Sequence, residues 1–327
     1  MSLQSRAVTM TKQMIQIEST DPGTYENTMA NWITSQLAPY PNVQLTRQEV
    51  LPGRPNLMAE LPGDPALPAL IMICHMDTVV VGDGWTLPPF EAIEKNGKIY
   101  GRGACDMKSG LACCLSAFQY AAEMLKTSGK TPKQTLKLIC SMDEEDFMRG
   151  SEACIQSGWI TDHDWVIDAE PTNGQIQMAH KGRTWYEIDV QGHTAHASTP
   201  WKGADAIAAM SEIICEIRHA ILYAPVHPDM GSSTVTFGQI TGGYRPYVVP
   251  DHCKVWIDMR LVPPLNTEKT NAIVEAAITH AEQSVSGISA TYKITGDRPP
   301  IEQNLDSPLL ANLKMSCQEI TGQTPQV

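Results

Sequence analysis

Apolar and polar positions in the first half of the chain alternate between two rhythms. Val8 to Ile17 carries apolar residues at helical spacing, and Met107 to Leu125, rich in Ala, Leu and Met, predicts a long helix. Asn56 to Leu61, Ala69 to Cys74, Thr135 to Ser141 and Trp165 to Ala169 are short apolar runs bounded by polar or turn-forming residues, which predicts strands. Continuous apolar strands separated by helices predict an α/β fold, a mainly parallel sheet covered by helices on both faces.

The second half has a different order. Thr184 to Val190 reads as a strand, Ala204 to Leu222 as a helix, and Thr234 to Ile240 and Lys254 to Leu261 as strands. Thr267 to Glu282 reads as a helix and Ile288 to Ile294 as a strand. The order is βαββαβ, the split pattern of ferredoxin-like domains. Residues 181–296 therefore form one expected domain. Ser307 to Ile320 predicts a further helix, expected to return to the first domain. Residues 1–180 and 297–327 would then make a discontinuous domain interrupted by the insertion.

Composition agrees with two globular domains. The chain has 327 residues, 42% of them hydrophobic, which is enough for more than one core. With 24 Lys and Arg against 36 Asp and Glu, the formal charge is -12, which disfavours nucleic acid and anionic membranes as partners. Met1 to Thr20 includes Arg6, Lys12 and Glu18 and has no unbroken apolar core, so no signal peptide is expected. Nine Cys, an odd number without C-x-x-C spacing, read as free thiols and not as a disulfide framework. The expected location is cytoplasmic.

Candidate chemistry collects where the apolar runs of the first half end. Ile71-Met72-Ile73-Cys74 runs into His75-Met76-Asp77, and period two puts His75 and Asp77 on one face. Tyr100-Gly101-Arg102-Gly103-Ala104-Cys105-Asp106 leads into the predicted helix; taken alone, Asp106 is a helix N-cap. Ile139-Cys140-Ser141-Met142 runs into Asp143-Glu144-Glu145-Asp146, and such acidic runs are usually solvated turns. Trp165 to Ile167 is followed by Asp168 and Glu170, both of which remain candidates. Strand ends on one edge of a parallel sheet are where such sheets place their sites. Histidine with carboxylates and no thiolate suits Zn²⁺, Co²⁺ or Mn²⁺, and a pair of such cations would activate water and polarise a carbonyl.

Taken together and in order, these four motifs resemble the M20 metallopeptidase family, above all its acetylornithine deacetylase and succinyl-diaminopimelate desuccinylase branch. The resemblance implies that His75 and Glu170 ligate one of two divalent metal ions, Glu145 the other, and that Asp106 bridges both. It implies Glu144 as general base, Asp77 as the partner of His75, and zinc as the metal, with cobalt or manganese as substitutes. Gly192-His193-Thr194-Ala195-His196 matches the family's G-x-x-A-H signature in its lid and dimerisation domain. The implied oxyanion donor, acting on a partner subunit, is His196, with His193 as runner-up. Arg260 matches a position that binds the substrate carboxylate. Two departures stand out. Tyr247 occupies a place where many relatives have Asn, so Arg245 or Tyr247 is expected to influence substrate choice. The family's remaining ligand is a His near the C-terminus, and the sequence reaches Val327 before that segment, so a further C-terminal stretch is expected.

The activity implied is hydrolysis of the amide bond of a small N-acyl amino acid or short peptide by a homodimer joined through the inserted domain. An aminopeptidase or carboxypeptidase of the same family is the alternative enzyme. A non-catalytic binding protein that keeps the fold is the alternative of another class.

Overall fold

The computed structural model describes residues 2–327 and separates into two compact units, residues 2–174 and 175–327. The first contains α1 (Leu3–Ile15), β1 (Thr20–Asp21), α2 (Asn27–Leu37), β2 (Gln44–Leu51), β3 (Arg54–Leu61), β4 (Leu70–His75) and β5 (Thr78–Val79). It continues with β6 (Ile93–Lys95), β7 (Lys98–Tyr100), α3 (Lys108–Ser128), β8 (Leu136–Ser141), α4 (Arg149–Gln156) and β9 (Trp165–Asp168). Its main sheet has the order β2-β3-β8-β4-β9. The β8–β4 and β4–β9 pairs are parallel, while β2–β3 and β3–β8 are antiparallel. Helices cover both faces, as the apolar strands predicted. Met10 and Met14 of α1, Ile33 and Leu37 of α2, and Leu111, Leu115 and Phe118 of α3 pack on one side, against Leu57, Cys74, Leu138 and Cys140. Cys154 of α4 packs with Met58, Ile71 and Ile139 on the other. Gly129, at φ 65°, takes the left-handed position that ends α3.

The second unit contains β10 (Gly182–Gln191), α5 (Ala206–Leu222), β11 (Thr234–Gly242), β12 (His252–Leu261), α6 (Thr267–Ser284), β13 (Ser289–Arg298) and α7 (Pro308–Thr321). The strands form an antiparallel sheet of order β11-β12-β10-β13, the arrangement expected of the βαββαβ pattern. Burial alternates residue by residue along β10 and β12, because helices cover only one face of this sheet. Ile188, Val255 and Ile257 meet Met210 and Ile213 of α5 and Val274 and Ile278 of α6. The side chain of Asp205 caps α5 by accepting from the N–H groups of Ile207 and Ala208. Residues 297–327, assigned from sequence to the first domain, group by their contacts with this second unit.

Candidate metal centre

The parallel register aligns the ends of three strands. His75 stands opposite Ser141, and Ile73 opposite Asp168, so β4, β8 and β9 finish at one edge. His75 is the last residue of β4, the segment Asp143 to Asp146 follows β8, and Glu170 follows β9. Asp106 arrives from the segment before α3. It is not a cap: Met107 holds the N-cap position and no side chain caps the helix there. Instead the Oδ1 atom of Asp106 lies 3.1 Å from Nε2 of His75. Gly110 allows α3 to reach this edge, since a Cβ there would lie 2.2 Å from the carbonyl oxygen of Ala169, the residue before Glu170.

His75 is buried, and carboxylates surround its Nε2. Oε1 of Glu170 is 3.5 Å away and Oε2 of Glu144 is 4.0 Å away. His75, Asp106 and Glu145 offer ligand atoms all within 4.8 Å of one another, and so do His75, Glu144 and Glu170. Asp168, open to choice from sequence, belongs to neither group. The other ring nitrogen, Nδ1, lies 2.9 Å from the backbone carbonyl oxygen of Asp77 and 3.7 Å from its Oδ1. The carbonyl, not the carboxylate, therefore holds the ring. The strand stops at His75, so period two does not carry on to Asp77. The Asp77 carboxylate turns elsewhere: it accepts the backbone N–H of Glu144 at 3.2 Å and of Glu145 at 3.0 Å.

The electrostatics report a shortage of positive charge. Burial works against a charged imidazole, but the hydrogen bond to Asp106 and the charges of Asp77, Glu144 and Glu170 outweigh it, raising His75 to about 10. Burial, against the pull of His75 and with the push of neighbouring acids, raises Glu144 to about 7 and Glu170 to about 8. Burial also raises Glu145. Crowded, partly desolvated carboxylates around one imidazole are relieved by a divalent cation. With imidazole and carboxylate donors and no thiolate, the residues present fit such an ion. Two further acid clusters, Asp21-Asp143-Asp146 and Asp21-Glu26-Asp77, differ in kind, because guanidinium groups of Arg54 and Arg149 already pair with their members.

The remaining candidates lie in the second unit. The backbone of His196 bridges to Val248, and its Nδ1 accepts the N–H of Ser198 at 3.2 Å. His193 pairs through its backbone with Ala204. Arg245 and Tyr247 are exposed on the neighbouring segment, where the Tyr247 carbonyl accepts the N–H of Ala197. Arg260 is engaged within its own strand, its guanidinium donating to both oxygens of Asp258 at 2.8 and 2.9 Å.

Residues that sequence reasoning missed are Glu26, Arg54, Asn56 and Arg149, which surround the Asp143–Asp146 segment. The acidic run itself pointed to that segment. Nothing local pointed to its partners.

Comparisons with known proteins place the chain in a family. Residues 71–327 match the model of the peptidase family M20/M25/M40. A probable succinyl-diaminopimelate desuccinylase of Staphylococcus aureus strain Mu50 is 28% identical over 288 residues, covering 80% of this chain and 70% of the relative. An acetylornithine deacetylase of Buchnera aphidicola is 29% identical over 250 residues, covering 75% of this chain and 64% of the relative. Among solved structures, aminopeptidase PepT of Bacillus cereus superposes with a TM-score of 0.77 at 22% identity, covering 99% of this chain and 83% of that one. The Bacillus subtilis YXEP protein, a dinuclear metal-binding peptidase, superposes with a TM-score of 0.68 at 16% identity, covering 99% and 82%. The chain belongs to the peptidase family M20/M25/M40 and is a metal-dependent hydrolase of amide bonds.

Proposed function

We propose that the chain hydrolyses the amide bond of a small N-acyl amino acid, with Glu144 as the proton-transferring base. The observation that carries this reading is the placement of Glu144. Its carboxylate stands at the rim of the His75 cluster, and its backbone N–H is held by buried Asp77. Partial burial raises it to about 7, the range in which a carboxylate both takes and returns a proton. His75, Asp106 and Glu170 would hold one divalent cation, and Asp106 and Glu145 a second, with zinc as the metal and cobalt or manganese as substitutes. Bound there, the cations would polarise the scissile carbonyl and acidify an attacking water. Glu144 takes the proton from that water and delivers it to the departing nitrogen. Asp77 keeps Glu144 and Glu145 in place through their amides. The names of the two relatives, a desuccinylase and a deacetylase, favour an acyl group on an amino-acid nitrogen.

The second unit completes the reading. In His196, Nδ1 lies within reach of the backbone N–H of Ser198, which leaves Nε2 as the nitrogen that would donate to an oxyanion. The protein would act as a homodimer, with His196, or His193 in its place, serving the site of the second copy. Arg260 and Arg245 would bind the substrate carboxylate, Arg260 after leaving Asp258. Residues 181–296 would form the lid that joins the copies. Nine free thiols, five of them buried, support a cytoplasmic location.

The deciding experiment is Glu144→Ala, loaded with Zn²⁺ or Co²⁺ and assayed on a panel of N-acetyl and N-succinyl amino acids and of di- and tripeptides. Loss of a general base costs about 10² to 10⁴ in kcat. Full activity in the metal-loaded variant would remove Glu144 from the mechanism. Preference for peptides with free termini would make the enzyme an aminopeptidase or carboxypeptidase.

A further inference from the structure

The segment carrying Glu144 and Glu145 lies outside every strand and helix, yet four successive backbone N–H groups in it are each captured by a side chain. Met142 donates to Oδ1 of Asn56 at 3.1 Å, and Asp143 to Oε1 of Glu26 at 3.2 Å. Glu144 and Glu145 donate to the two oxygens of Asp77. Three distant parts of the chain thus shape it: the turn before α2, strand β3, and the segment after β4. Glu26, fully buried, is itself fixed by Arg54, whose Nε donates to Oε2 at 2.9 Å and whose Nη2 donates to Oε1. The same Nη2 donates to Asp21 at 2.6 Å and lies 3.4 Å from Oδ1 of Asp143. Arg149 closes the other side, its Nε and Nη2 donating to the two oxygens of buried Asp143.

We propose that Arg54, acting through Glu26 and Asp143 and assisted by Arg149, is a positioning residue for the two carboxylates Glu144 and Glu145. Its guanidinium pairs with Asp21, Glu26 and Asp143, none of which is a proposed ligand. Its planar fork lets one buried cation hold Glu26, Asp21 and Asp143 in a fixed arrangement, which a Lys with a single ammonium does not reproduce. Glu26 then presents one oxygen to the amide of Asp143, a residue held at φ 61°. That orientation sets the direction in which the next two side chains leave the backbone. This inference rests on the proposed roles of Glu144 and Glu145.

A cavity of about 490 Å³ is lined in part by Tyr25, Arg54, Asp146 and Arg149, so removal of the Arg54 side chain would open space continuous with it. Chemical rescue is therefore a direct test. In the full chain, Arg54→Ala is expected to weaken Co²⁺ binding about tenfold or more, as loss of an outer partner of a ligand does. It should also lower kcat about a hundredfold, the cost of a displacement of about 1 Å, with KM little changed. Millimolar guanidinium should restore both, and urea, a neutral molecule of similar shape, should restore neither. Arg149→Gln, at a more exposed position, should shift both in the same direction by a smaller factor, and it remains testable if the Arg54 variant does not fold.

Co²⁺ binding, followed by visible absorption and calorimetry, needs no substrate. If wild type hydrolyses nothing on the panel, the proposed function fails while the Co²⁺ arm still decides the positioning role. A folded Arg54→Ala with wild-type Co²⁺ affinity and kcat would overturn the inference. So would an unfolded Arg54→Ala accompanied by an Arg149→Gln with both values unchanged. A variant that loses only folded protein, with kcat and affinity per folded molecule intact, assigns Arg54 to stability alone and also overturns it.

Discussion

Replacing Gly110 by Ala adds one methyl group to α3, and two effects of opposite sign compete. Ala is the better helix former, by about 0.8–1 kcal/mol in a helix interior. Against this, the added Cβ would lie 2.2 Å from the carbonyl oxygen of Ala169. A carbon–oxygen contact requires about 3.3 Å, so the helix and the segment after β9 must part by about 1 Å. Overpacking of this kind costs about 1–3 kcal/mol, so the clash should match or exceed the helix gain and stability should fall by up to about 2 kcal/mol. The functional loss should be larger in proportion. Ala169 directly precedes Glu170, whose Oε1 lies 3.5 Å from Nε2 of His75, so a shift of that size separates two proposed ligands of one cation. A misplacement of about 1 Å costs on the order of a hundredfold in rate. Urea unfolding of the metal-free protein measures the first effect. Titration with Co²⁺ and kcat on the best substrate measure the second. A Gly110→Ala protein that is about 1 kcal/mol more stable and binds Co²⁺ like wild type would show that propensity decides and that the contact is not close, refuting the argument.

Two other substitutions test separate parts of the site. Asp77→Asn leaves one oxygen for two amides, removing a hydrogen bond to a charged acceptor, a loss of about 1.5–3 kcal/mol, while relief of the buried charge offsets part of it. The amide resonances of Glu144 and Glu145 should move and the His75 ring should not; movement of the ring alone would mean that the carboxylate serves the imidazole. Burial, with Glu18 opposing, pushes Lys108 down to about 7 from an ordinary 10.5, and its Nζ donates to the carbonyl of Ile17 at 2.8 Å. Between those two pH values the unfolded chain holds a proton that the folded chain lacks, so stability rises with pH across the window and is lost as pH falls towards 7. The stability of wild type relative to Lys108→Met should therefore climb from pH 7.5 to 9.5, by up to about 1.4 kcal/mol per unit; a flat difference would place a charged ammonium in the fold.

Much of this architecture was legible because burial writes itself into local pattern. Strands β4 and β8, packed on both faces, appear as largely apolar runs, and each leads into a histidine or acids at its end; the shorter β9, half-buried at the sheet edge, does the same through Asp168. The half-covered strands of the second unit alternate, and their βαββαβ order was readable for the same reason. Where burial is weak the pattern is weak too. Most positions of β2 are exposed, because it lies at the edge of its sheet, and it was missed. The helix α2 carries an apolar stripe of Met29, Ala30, Ile33 and Leu37 at helical spacing, a pattern short enough to be overlooked beside the longer helices. Among the proposed ligands, the preference for Glu170 over Asp168 rests on family resemblance; in the fold, Oε1 of Glu170 lies 3.5 Å from Nε2 of His75. The side chains that hold the segment of residues 142–145 were illegible in principle. Glu26 and Asp143 are 117 residues apart, and neither Arg54 nor Asn56 belongs to a pattern that points to a partner.

The capture of four successive amides by side chains has a consequence for heredity. The shape of residues 142–145 is stored only partly in those residues; the acceptors of their amides sit at positions 26, 56 and 77, with Arg54 behind them. Copying the acidic segment into another scaffold would carry over its letters and leave its conformation behind. The transferable unit is the segment together with its acceptors. A change at Glu26 or Asn56, far away in sequence, amounts to an edit of the segment itself.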